Sequence, residues 1–219
     1  MRVATKKADE TRAKLLDAAL EVMASRGYAE ATMAEIARAA GVSKGLAYYH
    51  FSSKADLASE LLAGVVGGII DDFDDIATSA SSGREALICI FEHFASMLAD
   101  DAKLGSLFLS ELWREGKVWT DEIKDVEERL VMVVAGQFER GRREGSVRRE
   151  VDAEFAAVSC IGLVLTTAMS WYAKRTDGGG VAGAAGGTTV HEGDLDRDKN
   201  AYVTQVRDFI QHALDTGAV

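Results

Sequence analysis

The stretch Gly41-Val-Ser-Lys-Gly45 matches GxSxG, the pattern around the nucleophilic serine of many hydrolases. That chemistry needs a β-strand running into a strained turn, which exposes the serine hydroxyl at the start of a helix. The residues before Gly41, AEIARAA, are strong helix formers and predict no strand. We therefore interpret Ser43 as the N-cap of a helix rather than as a nucleophile.

Two other patterns could bind a nucleotide or a metal ion. The GxGxxG match at Gly178–Gly183 follows a helical segment and precedes more glycine, whereas a dinucleotide site needs a strand before it and a helix after it. Cys89 and Cys160 lie far apart, without a CxxC motif or a Cys/His cluster, so we expect buried thiols in a reducing cytoplasm. No catalytic residue, cofactor or metal site is predicted, and we do not expect an enzyme.

Composition favours a soluble helical protein. Of the 219 residues 47% are hydrophobic and 27% are charged, and proline is absent. The basic N-terminus has no secretory apolar stretch behind it, so we expect no signal peptide. Charge is divided unevenly: residues 1–54 carry 9 Lys/Arg and 6 Asp/Glu (+3), whereas residues 55–219 carry 16 and 29 (−13). A basic segment on an acidic body is typical of a small DNA-binding module attached to a larger domain.

Apolar spacing predicts an all-α protein of about nine helices. They are expected at residues 11–27, 32–41, 43–51, 53–77, 82–99, 102–114, 120–143, 155–173 and 200–214. Residues 176–198 hold seven of the 21 glycines and predict a flexible loop. We divide the chain into a domain at residues 1–54 and a larger one at residues 55–219.

Residues 32–51 carry the most specific pattern. Thr32 and Glu35 form a predicted capping box, and Gly41 lies where a turn between two helices needs positive φ, which together give helix-turn-helix spacing. The second helix opens with Ser43, Lys44 and Gly45 and carries Tyr48, Tyr49 and His50. It therefore offers hydroxyl, amine and imidazole groups to phosphates and base edges. The alternative is a plain helical hairpin whose aromatic residues lie in the core.

From Thr32 to Leu57 the residues T-x-x-E-I-A-x-x-A-G-V-S-K-G-x-x-Y-Y-H-F-x-S-K-x-D-L resemble the signature of TetR-type (tetracycline-repressor-like) transcriptional regulators, and Arg12–Tyr28 resembles their first helix. The resemblance implies a three-helix, helix-turn-helix DNA-binding domain followed by a helical effector-binding and dimerisation domain. It implies that Thr32 and Lys54 bind phosphate and that the six residues named above line the recognition helix. The chain departs from the family at Ala47, where a larger aliphatic residue is usual, and at Leu46, where many members have a hydroxyl.

The resemblance also implies a small-molecule site among the middle helices. Bulky and polar side chains there are candidate effector-binding residues, although each could equally be ordinary core. They are Phe91, Phe94, Leu107, Phe108, Glu111, Trp113 and Phe138. His93 is a further polar group that could orient a ligand.

The segment at residues 155–173 has 19 residues without a charge, close to the length of a membrane span. We favour a soluble helix packed against its own domain on one side and a second subunit on the other. With the final helix it would form a two-fold interface containing Phe155, Gly162, Thr166, Ser170, Val206 and Ile210.

Together these features predict a homodimeric, cytoplasmic repressor that binds a palindromic operator in double-stranded DNA and is released by a small apolar or amphipathic effector. The alternative is a helical-bundle enzyme or small-molecule carrier that contains a helix-turn-helix-like hairpin without a role on DNA.

Overall fold

The structure, a computed structural model, describes residues 2–101, 121–177 and 192–215. Over these residues it contains eight α-helices and no strand, which confirms the predicted all-α class. They are α1 (Arg2–Glu30), α2 (Met33–Ala39), α3 (Lys44–His50), α4 (Lys54–Ser79), α5 (Gly83–Asp100), α6 (Asp121–Glu144), α7 (Ala153–Asp177) and α8 (Glu192–Ala213). The helix predicted at residues 102–114 lies outside the described residues.

Two helices begin earlier than the apolar spacing predicts. α1 starts at Arg2 rather than at residue 11, and α8 starts at Glu192, inside the stretch predicted to be a loop up to residue 198. Apolar periodicity detects only the turns that bury a face. Polar turns at the end of a packed helix are not detected by this periodicity. They still form, because adding a turn to an existing helix costs less free energy than nucleating a new one.

The chain divides into two compact units, and α4 contributes to both. The first unit comprises residues 1–68 and 103–127. It therefore runs past residue 54, because Leu57, Ala58 and Leu61 of α4 belong to its core. The buried residues of that core are Leu15, Ala18, Ala19, Met23, Ala31, Met33, Ile36, Ala37, Ala47, Phe51, Leu57, Ala58 and Leu61.

The second unit comprises residues 69–102 and 128–219. The Phe73 ring, near the end of α4, meets the Phe94 ring of α5 edge to face, with centroids 5.8 Å apart. α5 also approaches the backbone of α6 at Gly83, where a Cβ would lie 2.5 Å from the Gln137 carbonyl oxygen and 2.8 Å from the Gly141 Cα. Only glycine permits so close a crossing.

Arg140 of α6 holds the C-terminal end of α4. Its two terminal nitrogens donate to the carbonyl oxygens of Ala77 at 2.9 Å and Ala80 at 3.0 Å, and its Nε donates to Glu144. The last carbonyls of a helix have no partner within the helix, so a cation placed there satisfies them and complements the helix dipole.

Candidate nucleic-acid interface

The turn between α2 and α3 has the predicted geometry. Gly41 has a φ of 69°, a conformation that glycine adopts without strain. The Val42 N–H donates to the Ala37 carbonyl at 2.9 Å, and the Ser43 Oγ accepts from the Leu46 N–H at 3.2 Å. Ser43 is thus the N-cap of α3, as predicted.

α3 is a short helix that buries one side and exposes the other. Ala47 is the only fully buried residue among its seven, and the C-cap residue Phe51 is 1% exposed. Tyr48 is 46% exposed and Tyr49 81% exposed. The structure thus places the predicted recognition residues together on one short element, with Ser43, Lys44, Gly45, Tyr48 and Tyr49 exposed and His50 half-buried.

The exposed face of α3 presents a mixed polar and aromatic surface. The Lys44 ammonium lies 5.8 Å from the centre of the Tyr48 ring, and the Tyr49 and His50 rings meet edge to face at 5.4 Å. Apart from Gly45 itself, its chain neighbours and the nearby backbone of α3, no atom among the described residues lies within 4 Å of the point where a Cβ of Gly45 would be. The surface is therefore open to an incoming macromolecule along this side of the helix.

Thr32 forms the predicted capping box at the start of α2. Its Oγ1 accepts from the Glu35 N–H at 3.3 Å and donates to a Glu35 carboxylate oxygen at 2.8 Å, while its own N–H donates to that carboxylate at 3.1 Å. These hydrogen bonds stabilise the charged carboxylate and lower the pKa of Glu35. Any phosphate contact by the Thr32 hydroxyl would compete with its bond to Glu35.

Lys54, at the start of α4, is engaged within the protein. Its ammonium donates to the carbonyl oxygens of Tyr28 at 2.6 Å, Ala29 at 3.1 Å and Ala31 at 2.7 Å, and lies 4.4 Å from the centre of the Tyr28 ring. All three N–H groups of the ammonium are used in these bonds. This arrangement differs from the phosphate contact that the family resemblance implies, because Lys54 here caps the C-terminal end of α1.

Arg12 is a residue near this surface whose role the sequence did not indicate. Its guanidinium, on α1, contacts Glu60 of α4 and the His50 carbonyl at the end of α3. The three positions are separated by 38 and 48 residues in sequence, so no local pattern connects them. Only the fold brings them together.

The candidate effector residues divide into two groups. Phe91, Phe94 and Phe138 are buried in the core of the second unit, at 0%, 1% and 2% exposure. The other four, Leu107, Phe108, Glu111 and Trp113, lie outside the described residues. His93 pairs on the surface with a carboxylate oxygen of Asp72, 3.0 Å from its Nε2, and is not directed into the core.

The predicted interface residues on α7 and α8 do not all face outward. Phe155 is 74% exposed, Thr166 and Ser170 are exposed, and Gly162 is half-buried. Val206 and Ile210, however, are 3% and 1% exposed within one protomer, so their side chains pack inside it, and their place at a dimer interface stays a prediction. They lie on the stripe of α8 that includes Tyr202, whose hydroxyl donates to the Val164 carbonyl of α7 at 3.2 Å.

Phe209, at 56% exposure, is a large apolar residue that α8 presents to solvent. On α7, Val158 and Met169 are also exposed, at 53% and 38%. The segment Ala153–Tyr172 is long and apolar enough to cross a membrane by length and composition, and 22% of that apolar window is buried. The apolar helix is thus left largely uncovered by its own protomer.

Neither cysteine shows the features of a redox site. Both are half-buried, and burial raises the pKa of the Cys160 thiol to about 11. Burial, with Glu85 and Glu92 nearby, also raises the pKa of Cys89. The described part of the chain contains no cluster of His, Cys, Asp and Glu suited to a metal ion.

Comparison with known proteins supports the geometry described above. A sequence model described as "Bacterial regulatory proteins, tetR family" matches residues 15–61. The fatty acid metabolism regulator protein of Bacillus subtilis (strain 168) is 27% identical over 159 residues, which cover 72% of this chain and 81% of that protein.

Two solved structures share the fold. The fatty acid degradation regulator FadR from Bacillus halodurans matches with a TM-score of 0.76 at 24% identity, covering 93% of this chain and 96% of that chain. FadR from Bacillus subtilis in complex with stearoyl-CoA matches with a TM-score of 0.75 at 21% identity, covering 92% and 98%. The tetR-family match at residues 15–61 and the related regulator from Bacillus subtilis, together with the helix-turn-helix at α2 and α3, support a TetR-type transcriptional regulator.

Proposed function

We propose that the protein is a homodimeric repressor that binds a palindromic DNA operator through α3 and is released by a small amphipathic effector. The observation that carries this proposal is the exposed face of α3, which presents hydroxyl, ammonium and aromatic groups to solvent. Buried Ala47 and Phe51 anchor the opposite side of this helix in the core. Neither hydrolysis nor transport would require such a face. The helical-bundle enzyme or carrier is disfavoured, because the relatives are regulators and Ser43 serves as a helix cap.

The described side chains of α3 suggest which groups would contact phosphates and which would contact base edges. The Lys44 ammonium is a point charge suited to phosphate, whereas the Tyr48 hydroxyl and the His50 imidazole can reach base edges in the major groove. Gly45 would let the start of α3 come close to the DNA backbone. A dimer would place two such helices about 34 to 36 Å apart, one turn of DNA, or a multiple of that distance.

The test is selection of bound fragments from genomic DNA, followed by titrations with the recovered sequence. We expect a palindrome. Tyr48→Ala and His50→Ala should each weaken operator binding by about 1–3 kcal/mol and leave non-specific binding nearly unchanged. Lys14→Ala, which removes an exposed lysine of α1, is the matched control. Recovery of no preferred sequence would refute the proposal.

We further propose that a second copy of the chain covers the exposed face of α7. A helix with Phe155, Val158 and Met169 uncovered would favour association, and a dimer satisfies the symmetry of a palindrome. Phe155→Glu would place charges in the interface and should shift the dimer towards monomer in sedimentation at micromolar concentration. Met132→Glu, which alters an exposed side chain of α6, should not. A wild-type monomer, or partition of the wild type into vesicles, would contradict the dimer.

The effector class is suggested by the relatives. One related structure contains stearoyl-CoA, and we propose a long-chain acyl-CoA thioester as the first ligand to test. Such a molecule has an apolar chain for a helical core and a charged end that orients it. Stearoyl-CoA should weaken operator binding by about 5- to 150-fold, whereas free coenzyme A should not. If acyl-CoA thioesters of every chain length fail to weaken operator binding, this ligand class is excluded, while the proposal of DNA binding through α3 still stands.

A further inference from the structure

Four contacts converge on the Arg12 side chain. Its Nε donates to Glu60 Oε1 at 2.6 Å, and one terminal nitrogen donates to Glu60 Oε2. The other terminal nitrogen donates to the His50 carbonyl oxygen at 3.3 Å, and the guanidinium carbon lies 4.6 Å from the centre of the Phe51 ring. One side chain of α1 therefore joins the C-terminal end of α3 to the second turn of α4.

These contacts matter because α3 has few attachments of its own. A seven-residue helix has little independent stability, so its orientation depends on tertiary contacts. Its single fully buried residue, Ala47, offers only a methyl group. At its C-terminal end, the direction of the helix is fixed by Phe51 and by the bond from Arg12 to the His50 carbonyl, a group without a partner within the helix.

The geometry of the pair suits positioning better than stability. The Nε and terminal nitrogen of Arg12 match both carboxylate oxygens of Glu60, a planar arrangement that lysine cannot reproduce. The side chains of Arg12 and Glu60 are 41% and 34% exposed, and a pair so accessible to water adds little to folding free energy.

We propose that Arg12 is a positioning residue for operator recognition, which links α3 to α4 through Glu60 so that the two helices move together. The inference rests on the proposed function, since α3 must read DNA for its orientation to matter. It assigns to α4, which contributes to both units, a direct mechanical connection to the recognition helix.

The experiment compares Arg12→Gln, Glu60→Gln, their combination and Arg12→Lys on the operator selected by the wild-type protein. Each single change should lower the ratio of operator affinity to non-specific affinity by at least about fivefold. The double variant should show about the same reduction as one single variant, because both changes break the same link. Arg12→Lys should fail to restore the ratio, since charge alone is not sufficient.

Arg26→Gln is the matched control. Arg26 and Glu35 form an exposed pair of similar length, 2.6 Å, in the same unit but without a contact to α3. This variant should bind the operator like the wild type, and all variants should keep the wild-type circular dichroism spectrum. A reduced ratio that appears equally in Arg26→Gln would assign Arg12 a merely structural role and overturn the inference.

Three further results would overturn it. The variants could keep the wild-type ratio, the double variant could show the sum of both reductions, or Glu60→Gln could strengthen binding to all DNA. The last result would mean that Glu60 holds Arg12 back from a phosphate. If the wild type itself selects no sequence, the proposed function fails as well, whereas a selective wild type with unaffected variants refutes only the role of Arg12.

Discussion

Lys54 allows a direct test of whether a cation in the first unit contacts DNA or holds the protein together. Family resemblance implies a phosphate contact, but the ammonium donates to three carbonyls at the end of α1. Lys44 provides a matched comparison, because it is also the first residue of its helix and its ammonium faces solvent beside the Tyr48 ring. We expect Lys54→Met to lower the free energy of unfolding and Lys44→Met to lower the salt dependence of DNA binding. Each change should have little effect on the other quantity.

The expected loss of stability in Lys54→Met follows from its hydrogen bonds. A hydrogen bond from a charged donor contributes about 1.5–3 kcal/mol, and a cation at a helix C-terminus about 0.3–1 kcal/mol. The three bonds do not add in full, because water can solvate the freed carbonyls of this partly exposed site. We therefore expect about 2–3 kcal/mol lower unfolding free energy for Lys54→Met, and a decrease of less than about 0.5 kcal/mol for exposed Lys44→Met.

The salt dependence of operator binding gives the second readout. Each phosphate that a protein cation neutralises contributes about 0.9 to the slope of log affinity against log salt, so removing one such cation from each subunit of a dimer should reduce the slope by about 1.8. Lys44→Met should show that change, whereas Lys54→Met should keep the wild-type slope.

The assays are urea unfolding followed by circular dichroism, hydrogen exchange of the peptide that spans the end of α1, and DNA titrations over a range of salt. Titrations at low temperature keep Lys54→Met folded while its slope is measured. Faster exchange at residues 24–31 in Lys54→Met would place the destabilisation at the cap. If Lys54→Met instead retained wild-type stability and its slope fell by about 1.8, the capping role would be refuted.

Two further predictions concern the second unit. Gly83→Ala should destabilise the protein by about 1–3 kcal/mol or more in urea unfolding, because its Cβ would meet backbone atoms of Gln137 and Gly141 that cannot rotate away. The control is Gly136→Ala, where a Cβ would have open space among the described residues. This change should be neutral or stabilise the protein by up to about 1 kcal/mol. Equal effects would show that the crossing is not tight. Because burial raises the pKa of Cys160 to about 11, little of its thiol is in the reactive thiolate form at pH 8. In a Cys89→Ser background, Cys160 should therefore react with iodoacetamide at pH 8 roughly 100-fold more slowly in the folded protein than in urea. Similar rates in the two states would contradict its burial.

Local features of the first unit were predictable because they depend on neighbours in sequence. The capping box of Thr32 and Glu35, the N-cap at Ser43 and the positive φ of Gly41 all involve residues no more than three positions apart. Such patterns are sufficient to place two helices and the turn between them. They leave open which side of α3 faces away from the core, because its aromatic residues could equally belong to the core.

Contacts between distant residues were not predictable in this way. The spacing of Val206 and Ile210 correctly indicates a buried stripe, but periodicity does not distinguish a stripe buried in its own protomer from one buried by a partner. Likewise, the ammonium of Lys54 reaches carbonyls 23 to 26 residues away in sequence. Which group a long, flexible cation contacts depends on the packing of α1 against α4, and a motif contains no information about that.

The same point changes how the charge of the N-terminal segment should be interpreted. Its net charge of +3 counts all cations alike, yet Arg12 and Lys54 bind helix ends and Arg26 pairs with Glu35. Arg140 donates to carbonyl oxygens at the C-terminal end of α4, as Lys54 does at the end of α1. Cations in both units therefore satisfy the terminal carbonyls of helices. The charge sum identifies the segment suited to DNA, but among these cations exposed Lys44 is the one placed on the recognition helix. Phosphate binding by the described residues should therefore depend on far fewer cations than the sequence count suggests.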